Sequence, residues 1–265
     1  MIEKNVHVYK KSVTRILDID PTSKRVSILD NRFYSRNQDY YPSVTSILQF
    51  MPKGKFFETW LKDVGHNADI IARKAADEGT QVHDAIEKYL KGEKIQWVNE
   101  EGYSNYSMDV WKLILKFHDF WTTYKPTLIE SEIHLFSDQH KYAGTCDLVV
   151  EIDGERWLLD IKTSNSIHTA MDLQLAAYTQ AWNETFEEKI DRVGIIWLKS
   201  SKRKDGHLQG KGWEIYEPSR SIENSFKLFQ SIYELFKLEN PDPKPNLDTY
   251  PIEIQLDPNI YDKTE

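Results

Sequence analysis

The chain has 265 residues, of which 40% are hydrophobic and 12% aromatic, and this composition supports a packed core and excludes global disorder. Its formal net charge of −8 argues against a surface coated in basic residues for unspecific duplex binding. A single cysteine, Cys146, excludes an internal disulfide framework, a four-cysteine zinc site and a cysteine-ligated iron–sulfur cluster. No apolar run approaches the ~20 residues that span a bilayer, and no signal peptide is recognisable, so we expect a soluble, cytoplasmic protein.

The first half of the chain predicts short strands followed by helices. Residues 1–40 predict strands that pack on the core, with turn signals at Asp20-Pro21 and Asp30-Asn31. Residues 41–125 predict a helical lobe, with helices at about 45–50, 55–63, 67–91 and 104–124.

From residue 126 to 238 the pattern predicts a mixed sheet flanked by helices, which makes the fold class α/β. Strands are expected at 128–136, 144–152, 156–161 and 193–198, a further arm at 212–216, and helices at 171–184 and 221–238. Residues 239–265 hold seven acids and two bases and predict an extended acidic tail.

An Asp-Gly turn at 153–154 separates two apolar runs and predicts a two-residue hairpin. The turn fixes the register of the two strands, in which Leu148 faces Leu159. The same register places Asp147 directly opposite Asp160, with Cβ atoms roughly 4.5–5.5 Å apart. The hairpin therefore predicts two adjacent carboxylates.

Adjacent carboxylates repel each other, and a divalent cation between Asp147 and Asp160 would remove that conflict. Lys162 lies two residues beyond Asp160 and projects from the same face, where it can orient a water or offset charge in a transition state. Two alternatives stay open. The aspartates can be solvent-facing residues that Lys162 neutralises, or a bulge can break the register.

These residues resemble the PD-(D/E)xK nuclease superfamily, and in particular its RecB-like exonuclease group. The match comprises Gly144-Thr145-x-Asp147, then Asp160-Ile161-Lys162, then a Gln-x-x-x-Tyr motif at 174–178. Upstream, residues 79–83 resemble the helix whose histidine completes the metal site in that group. Residues 41–48 are similar to a segment of mitochondrial genome maintenance exonucleases.

The resemblance implies hydrolysis of DNA phosphodiester bonds with one or two Mg²⁺ or Mn²⁺ ions and no iron–sulfur cluster. It implies metal ligation by His83, Asp147, Asp160 and the carbonyl of Ile161, with Lys162 positioning the attacking water. Gln174 and Tyr178 complete the expected catalytic set. Gln174 would bind a phosphate or base, and Tyr178 would orient it or stack on a base.

Each of these roles has a structural alternative. His83 borders an apolar stripe and can be a packed histidine, and Tyr178 can be a core residue. Glu132, on the strand before the hairpin, can support the metal site or lie exposed. The remaining histidines, His134 among them, lack ligand spacing and are interpreted as ordinary.

We expect an exonuclease that prefers single-stranded DNA ends, in DNA replication, repair or recombination. Single-strand-binding or recombination proteins are possible partners, and no membrane is expected. A basic loop would contact the nucleic acid backbone through Lys199, Lys202, Arg203, Lys204 and Lys211. The alternatives are a structure-specific endonuclease on the same core and a non-catalytic nucleic-acid-binding or recombination protein.

Overall fold

The computed structural model describes residues 6–8, 16–20, 25–29, 33–36, 39–200, 212–243, 247–251 and 254. Within these residues the chain forms an α/β fold, as predicted. The strands are β1 (Val6–Val8), β2 (Ile16–Asp20), β3 (Arg25–Leu29), β4 (Phe33–Arg36), β5 (Asp39–Pro42), β6 (Thr127–Ser137), β7 (Tyr142–Ile152), β8 (Glu155–Lys162), β9 (Arg192–Trp197), β10 (Glu214–Tyr216) and β11 (Leu247–Pro251). The helices are α1 (Val44–Leu48), α2 (Lys55–Val64), α3 (Ala68–Leu90), α4 (Met108–Tyr124), α5 (Thr169–Thr185) and α6 (Ile222–Glu239). No helix in these ranges is long and apolar enough to cross a membrane.

The central sheet has five strands in the order β10-β9-β8-β7-β6. Its neighbours are antiparallel except for β8 and β9, which are parallel, so the sheet is mixed. Helices α3 and α4 pack on one face and α1, α5 and α6 on the other, and each face has its own apolar core. Strands β7 and β8 are therefore covered on both sides, which explains their long apolar runs.

Side-chain caps set the start of two long helices. Ser107 accepts a hydrogen bond from the backbone N–H of Val110 at 3.2 Å, and Ser221 does the same for Asn224. Helix α4 accordingly begins at Met108, several residues later than predicted, because the cap residue fixes the first turn.

The hairpin of β7 and β8 has the predicted register next to its turn. The pairs run from Ile152 opposite Glu155 to Leu148 opposite Leu159. Asp153 at the turn has a positive φ of 53°, as the predicted turn type requires.

Beyond Leu148 the register prediction is wrong, because the alternation of side chains slips at Asp147. Cys146 and Val149 both contribute to the core beneath α5, whereas Leu148 contributes to the core beneath α3. The ladder between β6 and β7 contains no pair at Glu132 and Asp147. Glu132 has a left-handed backbone, with a φ of 51°. Asp147 is therefore not a ladder partner of Asp160, and the side-chain alternation changes there without a shift in the pairing of β6 and β7, whose register shift lies between Leu128 and Glu130.

Two further elements surround the sheet. The β4–β5 hairpin packs against β7, where Tyr34 and Tyr41 bury Ala143. A separate four-stranded sheet has the order β1-β2-β3-β11. Its last strand, Leu247–Pro251, lies within the predicted extended tail and pairs with β3.

Candidate active site

A cleft of about 770 Å³ lies at the slipped part of the sheet. One wall is α3, which presents Gly79, Thr80 and His83 to the cleft. The floor comes from β6, β7 and the end of β8, and α5 and the β4–β5 hairpin close the other sides. Gly79 allows the approach of α3, since a Cβ at this position would lie 3.3 Å from Oγ1 of Thr163, directly after β8.

Three potential metal ligands meet in this cleft. Nδ1 of His83 lies 3.7 Å from Oδ2 of Asp147 and 3.9 Å from Oε1 of Glu132. Ligand atoms of all three side chains lie within 4.8 Å of one another. Glu132, with its left-handed backbone, and Asp147, where the alternation changes, lie opposite each other on β6 and β7. The irregular position of the sheet therefore supplies two of the three potential ligands.

A second group of side chains joins the cluster from β8 and α5. Asp160 is 2% exposed, and its Oδ2 lies 2.6 Å from Nζ of Lys162. Its Oδ1 accepts a hydrogen bond from Nε2 of Gln174 at 3.1 Å, and the same nitrogen lies 3.0 Å from the hydroxyl of Tyr178. The Tyr178 ring packs against Gly144, where a Cβ would lie only 2.3 Å from a ring carbon. The glycine of the Gly-Thr-x-Asp motif therefore makes room for the tyrosine of the Gln-x-x-x-Tyr motif.

A backbone hydrogen bond holds the two groups together. The N–H of Ile161 donates to Oδ2 of Asp147 at 2.7 Å, at the point where the β7–β8 ladder has ended. The carboxylate thus replaces the missing strand partner of that N–H. Asp147 faces His83 on α3, and Asp160 contacts Gln174 on α5.

The electrostatics of the site indicate uncompensated negative charge. Burial raises the pKa of Asp160 from 3.8 to about 6, a shift that Lys162 opposes and Asp147 increases. Burial also raises the pKa of Asp147. Burial alone would lower the pKa of His83, but the carboxylates of Asp147 and Glu132 outweigh it and raise that pKa from 6.5 to about 9.

The chemistry of this donor set fits a divalent cation. Carboxylate oxygens and an imidazole nitrogen are ligands for Mg²⁺ and Mn²⁺, and a cation here would neutralise the carboxylates that burial destabilises. His83, Glu132 and Asp147 would hold it, with Asp160 beside them. Ligation by the carbonyl of Ile161 stays a prediction.

The structure brings together most, but not all, of the residues that the sequence singled out. His83, Asp147, Asp160 and Lys162 line one cleft, and so do Gln174 and Tyr178. The amide of Gln174 donates to Asp160 and to Tyr178 and thereby orients the buried carboxylate, and its expected contact with a phosphate or base stays a prediction.

The structure favours one of the two alternatives for Glu132, because this residue lies next to His83. It differs from the sequence analysis at His134, which lacks ligand spacing but also lines the cleft. Their spacing of two residues on one strand is the only signal that could have linked them.

Of the five residues of the predicted basic loop, only Lys199 lies in the described part of the chain. Lys199 is half-buried, and the described residues that line the cleft do not include it. Lys202, Arg203, Lys204 and Lys211 lie outside the described residues. Contact of this loop with nucleic acid stays a prediction.

Comparison with known proteins adds one finding. A family model for the PD-(D/E)XK nuclease superfamily matches residues 54–246, more than half of the chain. The match contains His83 and the residues of β6, β7, β8 and α5 that build the cleft, whereas the β4–β5 hairpin lies before it. No curated protein matches the chain.

Proposed function

The chain belongs to the PD-(D/E)XK nuclease superfamily, and on this basis we propose that it is a divalent-metal-dependent exonuclease that degrades single-stranded DNA from its ends. We place it in the RecB-like group, with a role in DNA replication, repair or recombination. Single-strand-binding or recombination proteins are the proposed partners. The observation that carries the proposal is the single cleft in which His83, Glu132 and Asp147 lie beside the Asp160–Lys162 pair.

The polar side chains around the metal cluster have distinct roles in phosphodiester hydrolysis. A divalent cation bound there supplies Lewis acidity and offsets the charge of the phosphate. Lys162 is held at 2.6 Å from Asp160 and orients the attacking water or balances negative charge in the transition state. Gln174 fixes the rotamer of Asp160, and Tyr178 in turn fixes Gln174.

The shape of the cleft favours a single strand over a duplex. A volume of about 770 Å³ is in the range of small-molecule sites, so it encloses a few nucleotides rather than a double helix. Helix α3 and the β4–β5 hairpin both border it, and a strand that passes between them enters most easily by an end.

An assay with linear and circular single strands tests the exonuclease proposal. With Mg²⁺ or Mn²⁺, we expect an end-labelled linear strand to be shortened progressively, whereas a closed circle of the same sequence survives at least about 100-fold longer, because it offers no end to thread. Gel analysis over time measures both. Rapid cutting of the circle would instead support the endonuclease alternative, and an intact linear strand at every metal concentration would support a non-catalytic binding protein.

Metal binding should stabilise the fold. A metal at a hundredfold excess over its Kd contributes about 2.7 kcal/mol, which corresponds to a rise in Tm of roughly 5–10 °C for a domain of this size. Because His83 titrates with a pKa of about 9, metal must displace its proton, and the shift in Tm should grow as the pH rises from 6 to 9.

Differential scanning fluorimetry with Mn²⁺ across this pH range measures the shift. In a His83→Ala variant we expect a smaller shift that no longer increases with pH above about pH 7, where Asp160, with its pKa of about 6, is already ionised. An unchanged shift and pH dependence in His83→Ala would exclude this histidine as a ligand.

A further inference from the structure

A second polar group lies in the cleft beside the metal cluster. The hydroxyl of Thr145 is 2.9 Å from the hydroxyl of Tyr34 and 2.9 Å from Nδ1 of His134. Tyr34 is buried and packs edge-to-face on the His134 ring, with centroids 5.6 Å apart. The histidine itself is exposed, and all three residues line the cleft. The contacts therefore hold an accessible imidazole in one orientation.

The spacing of the sheet relates this group to the metal cluster. His134 and Thr145 are directly paired across β6 and β7. The next position on the same side holds Glu132 and Asp147, two residues along each strand. Two residues of a strand span at most roughly 7 Å, which is about one nucleotide of an extended single strand. A strand with its scissile phosphate at the metal cluster thus has a neighbouring phosphate near His134.

We propose that His134 binds the phosphate adjacent to the scissile one, and that Thr145 and Tyr34 position its ring for this contact. This inference rests on the proposed function, since it takes a nucleic acid strand as the ligand. It also gives the β4–β5 hairpin a part in substrate binding, because Tyr34 belongs to that hairpin and lies before the region of the family match.

One direction of the hydrogen bonds places a donor on the second ring nitrogen of His134. Either hydroxyl can donate in the Tyr34–Thr145 bond, and when Thr145 donates to His134, Nδ1 is the acceptor. A neutral imidazole that accepts at Nδ1 carries its proton on Nε2. Among the described residues Nε2 has no hydrogen-bond partner, and this N–H is suited to a phosphate oxygen.

Oligonucleotides with a single neutral linkage test the contact. Single strands that carry one methylphosphonate, placed at successive linkages from the end, are titrated against the protein in Ca²⁺ by fluorescence anisotropy. We expect one linkage next to the cleavage position at which the neutral group weakens binding to the wild type roughly tenfold, the size of a hydrogen bond to a charged group. In His134→Ala the same substitution should cost less than about twofold.

Steady-state kinetics and matched variants separate this role from a structural one. His134→Ala should raise KM roughly tenfold with kcat within about twofold, and His134→Gln, which keeps an N–H donor, should recover most of the loss. Tyr34→Phe should give an intermediate KM because the ring loses one of its supports. His66→Ala changes an exposed histidine outside the cleft and is expected to match the wild type.

Equal sensitivity of wild type and His134→Ala to the neutral linkage at every position would overturn the inference, even if the wild type cleaves DNA as proposed. A loss of kcat without a change in KM would also overturn it. A wild type that neither binds nor cleaves any strand would overturn the proposed function, and this inference with it.

Discussion

Asp160→Asn is expected to reduce DNA cleavage about 10³-fold or more, while the protein stays folded and is at least as stable as the wild type without metal. Asp160 is buried and contacts both Lys162 and Gln174, so its carboxylate cannot be replaced by a neighbouring group. An asparagine has the same shape but carries no charge, and the charge is what burial makes costly.

The raised pKa of Asp160 determines how the stability difference between Asp160→Asn and the wild type changes with pH. Because the pKa of Asp160 is raised from 3.8 to about 6, the folded state holds its proton more tightly than the unfolded state does. The ionised carboxylate therefore destabilises the metal-free protein, and this penalty grows as the pH rises from about 4 to above 6. Asp160→Asn has no charge at this position and therefore no such penalty. We expect its Tm to exceed that of the wild type increasingly from about pH 4 to above pH 6, and to equal it below pH 4.

Asp153→Asn is the matched control, since it makes the same chemical change on the same hairpin. Asp153 is exposed at the turn with a φ of 53°, a conformation that asparagine also accepts. We expect its activity and Tm to equal those of the wild type. Measurable cleavage by Asp160→Asn at more than a few per cent of the wild-type rate would show that the reaction centre lies elsewhere.

Local signals predicted much of the fold and of the cleft. The turn at 153–154 determined the register as far as Leu148 and Leu159, because two-residue turns leave the strands no freedom to shift. The motif that contains Lys162 then marked the end of β8, where the structure has the cleft.

The failures of prediction at the cleft involve interactions between distant parts of the chain. The slip at Asp147 occurs where β6 carries a left-handed residue, Glu132, and an acidic residue in a strand does not by itself indicate a positive φ. The bond from Gln174 to Asp160 depends on how α5 lies on the sheet. The contact of Tyr34 with Thr145 joins residues 111 positions apart, which no local pattern reports.

Lys162→Met is expected to lower kcat about 10²–10³-fold with little change in KM, because the ammonium group acts on charge or on a water that matters only in the transition state. Lys162 is partly exposed in the cleft and held by Asp160, so methionine can occupy its stem without a buried cavity. The metal-induced rise in Tm should persist, since His83, Glu132 and Asp147 are untouched.

Three measurements separate this role of Lys162 from simple attraction of the substrate. Lys227→Met removes the same charge from an exposed position on α6 outside the cleft and should leave kcat and KM unchanged. If Lys162 served only to attract the phosphate backbone, Lys162→Met would raise KM, and added salt would weaken wild-type binding more than that of the variant. A transition-state role requires that Lys162→Met lowers kcat alone. It also requires that the affinity of the variant for an oligonucleotide in Ca²⁺ equals that of the wild type, because ground-state binding then does not depend on this lysine.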